Sequence, residues 1–372
     1  MHIRQINTRS KQDVNVFVNF PFTLYEKSEY WVPPIISSVK NEMDKTKHPF
    51  YEHSAADFFI VESKNKVLGR IAILHNKNYC DYKNSRRAFV YHFDAVNDEQ
   101  VSNLLFEKAV EWAKGRGLDH LYGPKGFLRS SGMGVLVKGF DLLPAMGIPY
   151  NYPYYEKLYK AAGFEKDLDH FSGFMTPDMH IDPRVFTIAE KVKKKGNYEI
   201  LEFKNKSELR KWLPQVQEIQ HKAFVDNPNY FPSTDNEFAL IANSIIQIAK
   251  PELLKLILQG DKVVGFIISY PNISKALQKT KGKIWPLGWI TILREKNKTQ
   301  IVDFNGVGIL PEYQGMGANA LLYAELEKTI RKTNFKRGEF VQVNEDNFRS
   351  SSDWDHMGVT KNKIHRSMIL KF

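Results

Sequence analysis

The 372-residue chain holds a single cysteine, Cys80. Intramolecular disulfides and cysteine-rich zinc sites are therefore excluded, and a reducing compartment is the expectation. No apolar run approaches the ~18 residues that a membrane helix needs. The best candidate, Val263–Tyr270, has only strand length. The N-terminal Met-His-Ile-Arg-Gln lacks the apolar stretch of a signal peptide, so a cytoplasmic protein is expected. No Gly-x-Ser-x-Gly elbow occurs. His48 and His53 have a metal-like spacing but no Cys pair or Glu-containing motif beside them, and no metal is expected. Cys80 sits in a polar stretch with no partner fixed by sequence, which speaks against a nucleophile.

What is present is an apolar fraction of 42% with 13% aromatics, enough to exclude disorder and to fill the cores of two domains. Lys plus Arg is 53 against 42 for Asp plus Glu, a net charge of +11. That balance suits an anionic membrane surface, nucleic acid or a phosphorylated cofactor, and equally a solvated basic surface. The densest run, Lys191 with Lys193, Lys194 and Lys195, falls on a short predicted helix whose basic face is expected in water.

The chain reads as an internal duplication. Lys66-Val-Leu-Gly69 and Lys262-Val-Val-Gly265 lie 196 residues apart, each after a strand and a polar turn and before a second strand. Ala162-Gly163-Phe164 and Met357-Gly358-Val359, each closing a helix, lie 195 residues apart. Each half runs strand (His2–Ile6; Tyr198–Phe203), helix (11–27; 206–223), hairpin, strand (Phe89–Val96; Gln300–Ile309) and long amphipathic helix. A strand, a short helix and a last strand follow in each. The expected fold class is α/β, of α+β type: two tandem domains, residues 1–175 and 176–372, each a mixed central sheet flanked by helices. The second half carries an extra basic segment, 272–298, with Trp285 and Trp289. The first carries a glycine-spaced loop, Gly123–Gly139.

Chemistry concentrates at 300–330. A β-type run ends at Pro311-Glu312-Tyr313, then Gln314-Gly315-Met316-Gly317-Ala318-Asn319 leads straight into a helix. A strand, a glycine turn and a helix N-terminus make an anion site, because free backbone N–H groups and the positive end of the helix dipole face the ligand. The segment Val307–Leu322 resembles motif A of the GNAT superfamily of N-acetyltransferases, and Asn347, Ser350, Trp354, Gly358 and Val359 fit its closing segment. The first half also resembles a bacterial family of tandem-GNAT proteins through Gly69-Arg70-Ile71-Ala72, the Trp112 helix, Tyr122-Gly123-Pro124 and Asn151-Tyr-Pro-Tyr-Tyr155.

The resemblance implies acyl transfer, the acyl group being acetyl, from acyl-CoA to an amine of a small molecule or peptide, with no metal. Gln314, Gly315, Met316, Gly317, Ala318, Asn319 and Asn347 would bind the CoA, and the strand edge at Ile309 and Leu310 would pair with its pantetheine arm. An amine must be neutral to attack, so a base is needed. Asp303 is the candidate, with Glu312 the lesser one. Tyr154, Tyr159 and Trp354 are the expected pocket residues, though the tyrosine cluster at 150–159 also suits packing between the halves. Two departures stand out. Trp354 replaces the tyrosine that often serves as acid, and Asn319 replaces a small residue. In the first half, Asp98 and Glu99 stand where glycines belong, so that half is expected to lack a phosphate loop. A non-catalytic CoA-binding or scaffold protein, and a transferase using aminoacyl-tRNA, stay open as alternatives. Nucleic acid is thus a lesser candidate partner.

Overall fold

The computed structural model describes residues 1–196, 198–225 and 227–372. The side chain of Lys195 lies outside the described residues. The N-terminal half runs β1 (His2–Gln5), α1 (Lys11–Leu24), α2 (Ile36–Met43), β2 (Ala55–Ser63), β3 (Lys66–His75) and α3 (Lys77–Lys83). It continues through β4 (Arg87–Ala95), α4 (Glu99–Lys114), β5 (His120–Gly123), β6 (Val135–Lys138), α5 (Tyr155–Ala161) and β7 (Glu165–Met175). Helix α6 (Pro183–Lys195) follows, then β8 (Tyr198–Glu202), α7 (Lys206–Lys211), α8 (Leu213–Ala223), α9 (Asp235–Ile248), β9 (Leu254–Gln259) and β10 (Lys262–Pro271). The last third holds α10 (Ser274–Thr280), α11 (Gly288–Lys298), β11 (Ile301–Ile309), α12 (Ala318–Arg331), β12 (Arg337–Asn344), α13 (Phe348–His356) and β13 (Thr360–Lys371).

All strands join one sheet in the order β1-β2-β3-β4-β5-β13-β7-β12-β11-β10-β9-β8, with β6 beside β13. The halves exchange their last strands. β7 of the first half pairs with β12, and β13 of the second pairs with β5, so strands cross the sequence position 175/176 in both directions. Strands buried on both faces are apolar at successive positions. In β2 and β3, Phe59, Val61, Ile71 and Ile73 face the α4–α5 core, while Phe58, Ile60, Ala72 and Leu74 face α1 and α2. One larger core serves the second half.

The repeat is visible in the backbone. Leu68 and Val264, 196 residues apart, are both skipped in the hairpin register, and both carbonyls accept a 2.9 Å bond from the residue just past the end of the next strand, Val96 and Leu310. A bulge at the same place in each half aligns Val96 with Leu310. The helix expected at 206–223 is two helices meeting at Trp212, because Pro214 suits only a first turn. Helices α2, α3, α9, α10 and α11 were not foreseen. The segment 272–298 folds as the α10–α11 pair.

Candidate functional site

The parallel strands β11 and β12 pair only from Ile301–Phe304 to Arg337–Phe340. Beyond that they diverge, and Asn305–Val307 face Val341–Val343 as half-buried residues across a gap in the middle of the sheet. The Leu310 amide turns toward β10, where it meets Val264, so by strand alternation the backbone edge of Ile309 turns to the gap. The side chains of Ile309 and Leu310 belong to the core. The Leu310 carbonyl also accepts from Tyr313 N–H at 2.9 Å, so of the two only the backbone edge of Ile309 is left to a ligand.

At the head of the gap the chain turns through Gly315 (φ +74) and Gly317 (φ +86), a backbone region that glycine enters without strain. No side chain caps α12, and its first turn holds no acid. Its leading N–H groups are thus open to an anion. Gln314 braces the turn: its amide donates to Ile309 O at 3.0 Å, and the Arg349 guanidinium donates to its carbonyl. Met316 projects into solvent. Asn319 points away from the turn and donates to Asp353 at 2.9 Å. Asn347 caps α13 by accepting from the Ser350 amide at 3.1 Å, so its side chain is already engaged.

The corresponding places in the first half are filled. Asp98 caps α4 by accepting from Gln100 N–H at 2.8 Å. The Ala95 amide donates to the Tyr155 hydroxyl, and the Tyr154 hydroxyl donates to Ala95 O at 2.8 Å. Where β4 and β5 part, Lys125 N–H donates to Val90 O at 2.9 Å. Phe127 from the Gly123–Gly139 loop packs there edge-on against Tyr91 of β4, and beyond it against Phe50 and Phe58. An acid, two tyrosines and a folded-back loop occupy what the second half leaves open.

Asp303 lies fully buried on β11, opposite Glu339 of β12. Asn272 donates to both its oxygens at 2.9 and 3.0 Å, and the Met146 amide of the first half donates at 3.0 Å. Burial dominates and pushes its pKa up to about 7; the hydrogen bonds from Asn272 and Met146 oppose that shift, and nearby Glu339 adds to it. Glu339 is held by Arg337 and by Lys363 at 2.9 Å. A cavity of about 500 Å³ opens beside this pair. Asn272 and Glu339 line it, with Asp141–Pro144 of the first half and Glu295 and Lys298 of α11. Farther along the same region, Gln342 clasps the backbone of Met133 in the first half. Asn344, His170 and His365 lie side by side across β12, β7 and β13. Burial lowers both histidines to about 4. Asn344 Oδ1 and His365 Nδ1 are buried without a hydrogen-bond partner. The segment 124–149 of the first half thus roofs a polar floor of the second.

The three aromatic candidates do not come together. Tyr159 is buried among Phe93, Phe106 and Phe164 of the first core. Trp354 is buried against Phe340 in the other core. Tyr154 belongs to a tyrosine cluster with Tyr25 and Tyr152, inside the first half rather than between halves. The Tyr159 hydroxyl has no hydrogen-bond partner. Tyr159→Phe is therefore expected to raise stability by roughly 1 kcal/mol and leave turnover unchanged; a fall in turnover at unchanged stability would return Tyr159 to the site. Glu312 is exposed and pairs with Lys262 at 3.0 Å, away from the Asp303 carboxylate. Sequence reasoning passed over His170, His365 and Glu339, which carry no local motif and meet only through strand exchange.

This arrangement of splayed strands, glycine turn and uncapped helix defines a GNAT acyltransferase fold. Residues 213–358 match the model of the acetyltransferase (GNAT) family. The chain as a whole has the tandem GNAT fold: it superimposes on a tandem GNAT protein from the clavulanic acid biosynthesis pathway with a TM-score of 0.59 at 12% identity, covering 100% of this chain and 98% of that one. A GCN5-related N-acetyltransferase from Sphaerobacter thermophilus gives a TM-score of 0.54 at 11% identity, covering 100% and 95%. Among curated proteins, the chain is 24% identical to a bacterial ceramide synthase of Caulobacter vibrioides over 97% of this chain and 95% of that one. It is 25% identical to Protein YghO of Escherichia coli over 76% and 72%. Among the described residues no helix is long and apolar enough to cross a membrane, and no cluster of metal-ligating side chains occurs.

Proposed function

We propose that the chain is an acyl-CoA-dependent N-acyltransferase that joins a fatty acyl group to the amine of a long-chain amino alcohol. The observation that carries this is the asymmetry of the halves. The first has every feature of the donor site filled by its own side chains, while the second keeps the strand gap, the glycine turn and the helix N-terminus open. The domain limits at 175/176 then divide two roles: residues 176–372 hold the donor, and residues 1–175 roof the acceptor. A ceramide is the amide of a fatty acid with a long-chain amino alcohol, and the relative that spans nearly the whole chain is named for ceramide synthesis. Val307, Val341 and Val343 border the gap as half-buried apolar residues, and apolar borders suit a fatty acyl chain better than acetyl alone.

The chemistry follows from the groups in place. The open N–H groups of α12 and the turn at 315–317 receive the pyrophosphate. The amine enters as an ammonium through the cavity that Asn272 and Glu339 line, and one proton passes to the Asp303 carboxylate held behind Asn272, whose pKa of about 7 leaves it able to accept at neutral pH. The neutral nitrogen attacks the thioester carbonyl, a C–N bond forms, the C–S bond breaks, and the further proton that the nitrogen sheds in becoming an amide goes to the departing thiolate. The thiolate departs without a dedicated acid because thiol pKa values lie near 8.5. No proton from Tyr159 or Trp354 is required.

Thiol release from palmitoyl-CoA and from acetyl-CoA, each with sphinganine, a short amino alcohol or a lysine peptide, tests the proposal. The expected result is release that needs amine and is fastest for palmitoyl-CoA with sphinganine. Release indifferent to the amine's alkyl chain would contradict the acceptor class. Faster release from acetyl-CoA would contradict the donor.

A further inference from the structure

The turn after α10 and the helix α11 that follows leave large apolar side chains uncovered. Trp285 is 78% exposed, Leu287 68%, Trp289 46% and Leu293 50%. They are not scattered. Trp285, Pro286 and Leu287 form the tip of the turn, and Trp289 and Leu293, four residues apart, share one face of α11. The other side of the pair is anchored: Ile292 packs with Ile273 and Leu277, and Lys279 pairs with Glu295. The loop itself is tied to the first half through Gly282, whose carbonyl accepts from Ile36 N–H at 3.0 Å. A rigid mount therefore presents an apolar ridge outward.

The charge around the ridge has one sign. Residues 272–298 hold seven Lys or Arg and one acid, Glu295, a net +6 of the chain's +11. Lys281, Lys283, Arg294 and Lys298 are exposed. A short helix with Trp and Leu on one face and cations beside it lies in the plane of a membrane interface, its indoles at the headgroup level. Each cation near an anionic leaflet adds attraction. An anionic bilayer complements both the ridge and its rim, whereas a second copy of this chain would set +6 against +6 across a symmetric contact. We infer that the 281–298 segment is a docking element that seats the protein on an anionic phospholipid surface. Because Glu295 and Lys298 of α11 also line the 500 Å³ cavity, docking brings the cavity wall close to the bilayer, where an amphiphilic amine resides. The docking itself does not rest on the acyl-transfer reading, and it is measured with no substrate present.

Co-sedimentation of the full chain with phosphatidylglycerol-containing vesicles, and with pure phosphatidylcholine vesicles, tests it. The expected result is binding to the anionic vesicles that weakens as salt rises. The triple variant Trp285→Ser, Trp289→Ser, Leu293→Ser is expected to bind at least about tenfold more weakly with an unchanged melting temperature, since all three side chains are exposed. The charge reversal Lys281→Glu with Lys283→Glu is expected to lose binding to anionic vesicles by a similar factor. The inference is overturned if the wild type stays in the supernatant with both vesicles, or if both variants bind as it does. It is also overturned if gel filtration shows a wild-type dimer that the triple variant converts to monomer, which would assign the ridge to a second copy.

Discussion

Asp303→Asn is expected to lower the rate of amine-dependent thiol release by on the order of 10²–10⁴-fold, the usual contribution of a positioned base. In the wild type the rate should rise with pH through a limb near 7, because only the ionised carboxylate accepts a proton. The variant should lose that limb. Stability should move the other way. Between its unfolded value of 3.8 and its folded value of about 7, Asp303 holds a proton in the native state but not in the unfolded one. Stability therefore falls as pH rises through that window, by roughly 4 kcal/mol in all for a group so fully buried. His170 and His365, depressed to about 4, act in the opposite sense up to about pH 6.5. The informative quantity is thus the difference between variant and wild type in chemical denaturation at pH 5 and pH 8. The variant should gain on the wild type toward pH 8. Equal pH dependence of both proteins would show that Asp303 is not the perturbed group, and a full rate in the variant would remove it as the base.

Met316→Glu is expected to weaken acyl-CoA binding by roughly 30-fold or more, through repulsion between the new carboxylate and the pyrophosphate at short range. Met316 is chosen because it projects into solvent, so the fold should be unaffected. Gly317 is the position that the motif singles out, but any side chain there would meet Ile188 and Val192 of α6 at 2.6 and 2.7 Å, and loss of binding could then reflect displacement of that helix. Met316→Gln should bind almost as the wild type does. Equal loss in both variants would mean that shape rather than charge at the turn governs binding, against the phosphate assignment.

Much of the framework is legible in the sequence because it depends on local signals. The hairpins at Lys66 and Lys262, the glycine turn at 315–317 and a helix directly after it follow from periodicity and turn chemistry, and the structure has each of them, the helix beginning at Ala318. The absence of a phosphate loop in the first half is equally local, since Asp98 is an evident helix cap. The closing of that half by Tyr154, Tyr155 and Phe127 is not local. These residues reach Tyr91 and Ala95 of β4 from about 36 to 60 positions away in sequence, and nothing near them specifies the partner. Strand exchange is illegible for a related reason. β7 and β13 end equivalent halves, so a sequence pattern fits either strand to either gap, and only tertiary packing decides. Asn344, His170 and His365 become neighbours solely through that choice. Tyr159 and Trp354 were read by their place in a motif, yet both side chains turn into cores where aromatic packing explains them.

The most direct test of the account is a calorimetric titration of the wild-type chain, and of Met316→Glu, with palmitoyl-CoA and with ATP as a control. The account predicts a single saturable site per chain of micromolar strength, weaker for ATP and largely lost in the variant. Two equivalent sites would contradict the closure of the first half. Absence of binding, or binding indifferent to Met316→Glu, would contradict a donor site at the head of α12.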